Sequence, residues 1–363
     1  MKILAFESSC DETSAAVVLR DERAGEEGGF RVLSNVVRTQ IPTHRLYGGV
    51  VPEIASRAHI EAISAITYEA LDEAKTALSE IGLVAVTANP GLIGALLVGV
   101  NFAKALAVSR GIPLVAVDHI QGHIAACYLT GGAVPKPPFL ALAASGGHTA
   151  IFRVGDYDEI ERIGTTRDDA IGESFDKIGR MIGLPYPAGA AFDKLATEGF
   201  LQATGGAEDF YNAYKRSAAY RDRDYQLPSP AIADDTLDFS FSGLKTAAIN
   251  LLHRFEQSGK EVNRSLLAAR YTYEAVEAVA KKLSTALERY PDHDLAVAGG
   301  VAANSHLRHR LNEVAKQHNV SLFLPPLPLC ADNAAMIGAA GYFRYQKGRL
   351  ADASLNATAA DSV

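Results

Sequence analysis

Cysteine is scarce in this sequence of 363 residues, and the three cysteines that are present lie far apart. Cys10, Cys127 and Cys330 are too few and too scattered for a disulfide framework or a thiolate zinc site. This usage fits a reducing compartment, and we expect a cytoplasmic protein. The opening MKILAFESSCDET becomes acidic too early for a signal peptide, and we expect no apolar run to reach membrane-spanning length and no membrane partner.

Basic residues are also in short supply. Lysine and arginine total 35 against 42 aspartates and glutamates, which gives a formal net charge of −7. This balance argues against nucleic-acid binding over the whole surface. It leaves room for a local basic patch, because phosphate recognition depends on the field at one face. The length exceeds one ordinary hydrophobic core and therefore predicts two domains or lobes.

Strands and helices are predicted to alternate along the chain, which indicates an α/β protein. The predicted strands cover 2–8, 14–20, 32–38, 82–88, 113–117, 139–144, 149–154, 159–163 and 294–298. The predicted helices cover 52–75, 94–110, 168–183, 189–199, 242–257, 263–289, 302–318 and 332–347, with a two-histidine helix after the strand at 113–117. A polar stretch at 203–236 shows little periodicity, and we expect the small, polar residues 349–363 to form a flexible tail.

Two predicted strands run directly into paired glycines, in FLALAASGGHT (139–149) and LAVAGGVAANSHL (295–307). Glycine lets the backbone approach a ligand closely, and the second pair leads into a helix N-terminus. One such pair is more often a plain tight turn. Two pairs, together with NPGLIG after a third strand and an acidic turn after the first, predict loops that converge on one nucleotide.

The segment VDHIQGHIAACYL (117–129) places His119 and His123 four residues apart, on one face of a predicted helix. This spacing presents two imidazoles to a metal ion. Taken singly, each histidine is more often a structural residue of a helix start or a core. Gly122 lies between them, and a glycine inside a helix indicates close packing or a ligand at that turn. Two imidazoles hold a metal poorly, so a third ligand is needed.

Nine motifs then occur in one order between residues 6 and 341. They are FESSCDETSAAVV, GGVVPEIASRAH, PGLIGALLVGV, DHIQGHI, SGGHT, GESFDKIGRMIGLPYPAG, DFSFSGLKTA, AGGVAANSHLR and CADNAAMIGAAG. In this combination the chain resembles the TsaD family over almost its whole length. The resemblance implies the two-lobed fold of the acetate kinase, actin and heat-shock ATPase class, with a nucleotide cleft between the lobes. We expect residues 1–128 to form the first lobe, completed by a helix at 329–348, and residues 129–328 to form the second.

The resemblance also implies an activity, namely transfer of a threonylcarbamoyl group from threonylcarbamoyl-AMP to N6 of adenosine 37 in tRNAs that read codons beginning with A. Asp332 is the implied third metal ligand, although it could simply cap the last helix. The implied metal is Fe²⁺, while two nitrogens and a carboxylate would also accept Zn²⁺. The implied partners are tRNA, an inactive paralogue (TsaB) and a P-loop ATPase (TsaE). The implied nucleotide contacts are Ala143, Ala144, Ser145, Gly146, Gly147, Asp176, Gly189, Asp193 and Asn304.

The hairpin carboxylates and the stretch at 203–236 each allow two interpretations, while a third alternative, a protease, is disfavoured. Asp11 and Glu12 are candidates for a general base, but in a kinase of the same fold class they could instead position magnesium or activate a hydroxyl. A metalloprotease is disfavoured because Ile120 stands where H-E-x-x-H enzymes carry glutamate. Within the stretch at 203–236, four basic residues could contact tRNA backbone or belong to a solvated loop: Lys215, Arg216, Arg221 and Arg223.

Overall fold

The computed structural model describes residues 1–21, 29–230, 232 and 235–360. Its strands are β1 (Lys2–Glu7), β2 (Glu12–Arg20), β3 (Phe30–Thr39), β4 (Ile81–Asn89), β5 (Leu114–Asp118), β6 (Phe139–Ala144), β7 (Thr149–Asp156), β8 (Glu159–Thr165), β9 (Asp294–Ala298) and β10 (Leu322–Phe323). Its helices are α1 (Ile41–His44), α2 (Pro52–Glu73), α3 (Ile93–Arg110), α4 (His119–Ala125), α5 (Ile171–Met181), α6 (Gly189–Thr204), α7 (Phe210–Tyr214), α8 (Ala218–Arg221), α9 (Ser242–Gln257), α10 (Arg264–Arg289), α11 (Ser305–His318) and α12 (Ala334–Gln346).

The strands form two five-stranded sheets that share one topology. The first sheet has the order β3-β2-β1-β4-β5 and the second β8-β7-β6-β9-β10. In each sheet, the three strands that come first in sequence pair antiparallel as a meander. The fourth strand pairs parallel with the first strand on its other side, and the fifth pairs parallel with the fourth. The second sheet therefore repeats the first, and the α/β prediction is confirmed.

Alternate residues of the first sheet are buried on opposite faces, as the two-residue period of a strand requires. Ile3 and Ala5 of β1 join one apolar cluster with α12, while Leu4 and Phe6 join another with α2 and α3. Both faces are thus covered, which explains why these strands read as nearly continuous apolar runs. Helix α12 lies so close to the sheet at Gly338 that a Cβ there would be 2.9 Å from Val18.

Helices α4 and α12 pack against each other in the layer that joins the two sheets. Helix α12 contacts β1, β2, β4 and β5, and α4 contacts β6 and β9 of the other sheet. One apolar cluster includes buried residues of both helices and of strands from both sheets. The two-histidine helix is therefore buried where the two halves of the molecule meet.

Several predicted boundaries differ from the structure. Helix α5 begins at Ile171 rather than 168, and a short 3₁₀ turn (Gly300–Ala303) precedes α11. The stretch at 203–236 is not structureless, because it contains α7, α8 and a further 3₁₀ turn (Arg223–Tyr225). Its tyrosines supply the apolar contacts that hold it, since Tyr211 and Tyr214 are buried in the core of the second sheet.

The expectations for the tail and for apolar runs also meet contrary observations. The described part of the predicted tail is attached to the first sheet, because Ala351 bridges to Leu114 and the Thr358 N–H donates to the Ala88 carbonyl over 2.9 Å. Residues 361–363 of that prediction lie outside the described residues. Backbone pairing of this kind holds a segment that composition alone suggests is flexible. Helix α3 is long and apolar enough to cross a membrane by length and composition. It packs against α2 and β4 in the apolar cluster that contains Leu4 and Phe6 of the first sheet.

Candidate metal and nucleotide site

The two histidines stand at the start of α4, directly after β5. Asp118 ends the strand and caps the helix, because its Oδ1 accepts the N–H groups of Ile120 at 2.8 Å and Gln121 at 3.2 Å. The short helix therefore begins at His119, and its first turn places His119 and His123 side by side, with ring centroids 4.6 Å apart. Both histidine side chains are buried.

Asp332 meets both imidazoles. Its Oδ1 lies 3.5 Å from His119 Nε2 and 3.1 Å from His123 Nε2, and one ligand atom from each of the three residues can be chosen within 4.8 Å of the others. Burial alone would raise the pKa of Asp332, but the two imidazoles lower it overall. Two nitrogens and an ionised carboxylate on one buried centre are a suitable donor set for a divalent metal ion.

Asp332 does not cap the last helix. Asn333 does so instead, since its side-chain oxygen accepts the Met336 N–H over 3.1 Å. The alternative structural role for Asp332 is therefore wrong, and its carboxylate is left facing the histidines. The prediction that α12 starts at 332 fails for the same reason, because the helix begins after its asparagine cap.

Glu7 is a site residue that the sequence analysis missed. Its buried carboxylate lies 3.0 Å from His119 Nδ1 and accepts the Thr87 hydroxyl and the Ser9 N–H, each at 2.5 Å. Burial would raise the pKa of Glu7, but His119 lowers it overall. A carboxylate on one ring nitrogen directs the other nitrogen to a metal, and here Nε2 is the nitrogen that faces Asp332. An acidic residue ending an otherwise apolar strand was the available signal.

Gly122 is explained by packing rather than by a ligand. A Cβ at this position would be 2.6 Å from Cδ1 of Ile337 on α12. The close approach of the two helices brings the α4 histidines within reach of Asp332, which immediately precedes α12. Gln121, which also lies between the histidines, turns to the second half of the molecule, where its amide donates to Asp158 over 3.0 Å.

Asp11 and Glu12 lie in the same region as the three candidate ligands. Burial and the charges of Asp332 and Asp11 raise the pKa of Glu12 to about 9. The Thr39 hydroxyl donates to Glu12 Oε1 over 3.1 Å. The structure thus brings the hairpin carboxylates close to the metal candidates, while their role as a general base stays a prediction.

The glycine-rich loops of the second sheet leave neighbouring parallel strands at the same edge. Ala143 of β6 pairs with Ala298 of β9, and each strand is followed by a glycine pair. Gly299 has φ +88°, and a Cβ there would be 2.4 Å from the Ala144 carbonyl oxygen, so only glycine fits. By contrast, a Cβ at Gly146 or Gly147 would meet no atom within 4 Å. These two glycines border open space, as a loop that cradles a ligand requires.

Asp176 holds a further turn that borders open space. Its Oδ1 accepts the Ala188 N–H over 2.7 Å and so fixes the turn before Gly189, the first residue of α6. Burial raises the pKa of the half-buried Asp176 despite the backbone N–H groups that it accepts. It is therefore not a solvated helix charge. A Cβ at Gly189 would meet no atom within 4 Å, so this turn also borders open space.

Asp193 and Asn304 join α6 to the second glycine loop. Asp193 Oδ1 accepts the Ser305 N–H over 3.0 Å, and Asn304 caps α11 by accepting the Leu307 N–H over 2.8 Å. Both side chains therefore accept hydrogen bonds from backbone N–H groups at the start of α11. The strands that lead into the glycine loops, β6 and β9, also contact the two-histidine helix α4. The imidazole of His148, which follows the first glycine pair, contributes to lowering the pKa of Asp332.

Two sheets of one topology, with glycine loops and carboxylates gathered at the junction of the two halves, define the acetate kinase, actin and heat-shock ATPase class of folds. Part of the solved structure of full-length HypF, in its phosphate- and nucleotide-bound form, has a similar fold. Its TM-score with this chain is 0.51 at 15% identity, covering 95% of this chain and 46% of HypF. At that identity the likeness supports the fold alone.

The sequence comparisons identify the family within this class. The family model for TsaD, tRNA N6-adenosine threonylcarbamoyltransferase, matches residues 31–339. A tRNA N6-adenosine threonylcarbamoyltransferase of Clostridium botulinum strain 657 is 47% identical over 357 residues, covering 98% of this chain and 96% of that protein. Its namesake in Clostridium beijerinckii is 44% identical over 355 residues, with the same coverage. The chain belongs to the TsaD family of transferases.

Proposed function

We propose that this chain transfers the threonylcarbamoyl group of threonylcarbamoyl-AMP to N6 of adenosine 37 in tRNAs that read codons beginning with A. The observation that supports the chemistry most directly is the arrangement of His119, His123 and Asp332 beside the open glycine loops. A kinase of this fold class needs no buried histidine pair near its phosphate loops, so the kinase alternative is less well supported. The protein would act in the cytoplasm.

The reaction forms one bond and breaks another. The adenine N6 attacks the carbamoyl carbon, the bond from that carbon to the phosphate oxygen of AMP breaks, and the amine loses a proton. AMP is a good leaving group in this mixed anhydride, so no covalent enzyme nucleophile is needed. Much of the rate should come from holding the two reactants in line.

The residues divide this task between the two halves of the cleft. The backbone of Ala143–Gly147 and the turn ending at Asn304 would hold the AMP portion, and Asp176 would contact the ribose beside Gly189. Asp193 would support the nucleotide through the start of α11, to which it is bonded. His119, His123 and Asp332 would hold a divalent ion, Fe²⁺ in preference to Zn²⁺, which supplies Lewis-acid polarisation of the acyl oxygens when bound. Asp11 or Glu12 would receive the amine proton.

The resemblance assigns two protein partners to this function. A paralogue without activity (TsaB) would pair with helices of the first sheet, and a P-loop ATPase (TsaE) would act with both. By the same resemblance, threonylcarbamoyl-AMP would be made by a separate upstream enzyme.

One reconstitution tests the proposal. The purified protein is mixed with synthetic threonylcarbamoyl-AMP and unmodified tRNA, with and without the two partners, and the tRNA nucleosides are analysed by mass spectrometry. We expect threonylcarbamoyl-adenosine to form with the parent protein. His119→Ala should lose bound metal and most of the transfer while staying folded. Equal metal content in the variant and the parent, by elemental analysis, would refute the ligand assignment.

A further inference from the structure

A short loop spans the opening of the cleft between the two halves of the molecule. We call residues Arg45–Gly48 the cleft strap; it follows α1 and includes a 3₁₀ turn (Arg45–Tyr47). The preceding segment is attached to the acidic hairpin, because the Gln40 N–H donates to the Asp11 carbonyl over 2.9 Å. The strap therefore leaves the first half directly beside Asp11 and Glu12.

The other side of the strap rests on the second half. The Arg45 Nε donates to the Tyr186 carbonyl over 3.0 Å, and Arg180 NH1 donates to the Gly48 carbonyl over 3.5 Å. Burial raises the pKa of Tyr186, and the charges of Asp11 and Asp176 raise it further. The geometry alone therefore shows that the strap joins the two halves, with the acidic hairpin at one end and Tyr186 at the other.

The strap exposes apolar and aromatic surface at this entrance. Leu46 is 81% exposed and Tyr47 is 59% exposed. The guanidinium groups of Arg45 and Arg180 beside them are exposed as well, and within the described residues neither pairs with a carboxylate. Single exposed apolar residues are ordinary, but here an exposed aromatic residue follows Arg45 by two positions and precedes Gly48, which Arg180 contacts, so one short loop combines an aromatic ring with two cationic groups.

The chemistry of the strap fits unpaired bases of RNA. Bases that are not stacked in a helix bind to tyrosine rings and to guanidinium planes, and cationic groups bind the adjoining phosphates. A protein partner of comparable affinity would need a broader apolar face than one leucine and one tyrosine. Adenosine 37 belongs to an unpaired loop, so the bases next to it are also unpaired and available to a loop that starts beside Asp11 and Glu12.

We infer that the cleft strap binds the anticodon loop, with Tyr47 stacked on an unpaired base adjacent to adenosine 37 and Arg45 and Arg180 on the backbone. This inference rests on the proposed function. Neither Tyr47 nor Leu46 belongs to the candidate metal or nucleotide contacts. The strap therefore adds a surface for the tRNA substrate to a site that otherwise accounts only for the donor.

Binding of a fluorescent anticodon stem–loop RNA, followed by anisotropy, tests this inference. Tyr47→Ala should weaken RNA binding about tenfold, because stacking of one base is lost. Tyr47→Phe retains the ring and should bind like the parent. Tyr68→Ala is the matched control, since Tyr68 is 73% exposed on α2, away from the strap. Calorimetric binding of AMP, unchanged in all three variants, shows that the nucleotide half is intact.

A double-mutant cycle identifies the contact. RNAs lacking the base at position 36 or at position 38 should bind more weakly to the parent, and one of them should show no further loss with Tyr47→Ala. Additive losses of affinity for both RNAs would overturn the inference, and so would a loss in Tyr47→Phe equal to that in Tyr47→Ala. Unchanged RNA binding by Tyr47→Ala, together with weakened binding of TsaE, would also overturn it. Failure of the parent to transfer the threonylcarbamoyl group would refute the proposed function instead, and it is measured separately.

Discussion

At the scale of single residues, we expect Glu7 to orient His119 in the candidate metal site, because the Glu7 carboxylate lies 3.0 Å from His119 Nδ1. Its carboxylate is close to His119 Nδ1, so removing it should free the imidazole to rotate. Glu7→Ala should lower metal affinity about 10- to 100-fold, and Glu7→Gln, which keeps an acceptor oxygen, should lose less. Metal titration measures both. Glu80→Ala, a change to an exposed carboxylate paired with Lys2, is the control. Unchanged affinity in Glu7→Ala would show that Glu7 has no orienting role.

Gly147 supplies a second prediction at this scale. A Cβ at this position meets no protein atom within 4 Å, so Gly147→Val should leave the free energy of unfolding nearly unchanged. It should nevertheless obstruct AMP, because the side chain would occupy the space that a ligand needs. Calorimetry should show at least tenfold weaker AMP binding. Gly132→Val, at another open and exposed glycine, should bind AMP normally; equal binding in both variants would reduce SGGHT to a plain turn.

At the scale of elements, the approach of α4 to α12 assembles the metal ligands. In Gly122→Ala the new Cβ would be 2.6 Å from Cδ1 of Ile337, and the resulting overpacking should cost about 1–3 kcal/mol of unfolding free energy. It should also weaken metal binding by moving the histidines away from Asp332. Adding Ile337→Val removes the clashing Cδ1 and should restore both quantities. A double variant no better than Gly122→Ala would contradict this account.

The same elements show how far sequence reasoning reaches. The period of apolar residues predicts most of the strands but not how they are arranged in two sheets, and helical spacing predicts that His119 and His123 share a face. The motif order added Asp332 and Asp176 through the family resemblance. Glu7 was not predicted, because its role depends on β1 lying beside β4 and α4, a long-range arrangement that no local pattern encodes. The packed tail was missed for the same reason, since its hydrogen bonds reach β4 and β5.

At the scale of the whole molecule, two sheets of one topology enclose the cleft, and a protein of net charge −7 must bind tRNA through a local basic surface. In the stretch at 203–236, buried tyrosines pack against the core of the second sheet, while Arg216 and Arg221 are exposed. Arg216→Glu with Arg221→Glu should therefore weaken tRNA binding and flatten its salt dependence, with AMP binding unchanged. Filter binding at several salt concentrations measures both the tRNA affinity and its salt dependence. An unaltered salt dependence would show that the stretch at 203–236 is a solvated surface segment that does not contact tRNA.

The account as a whole depends on N6 of adenosine 37 being the acceptor. The most direct measurement compares transfer from threonylcarbamoyl-AMP to tRNA carrying adenosine or guanosine at position 37, with the partners present. Guanosine has no N6 amine, so we expect that tRNA to bind with similar affinity and salt dependence but to accept no threonylcarbamoyl group. Transfer to the guanosine tRNA, or ATP-dependent phosphorylation of a small metabolite without any need for tRNA, would contradict the account.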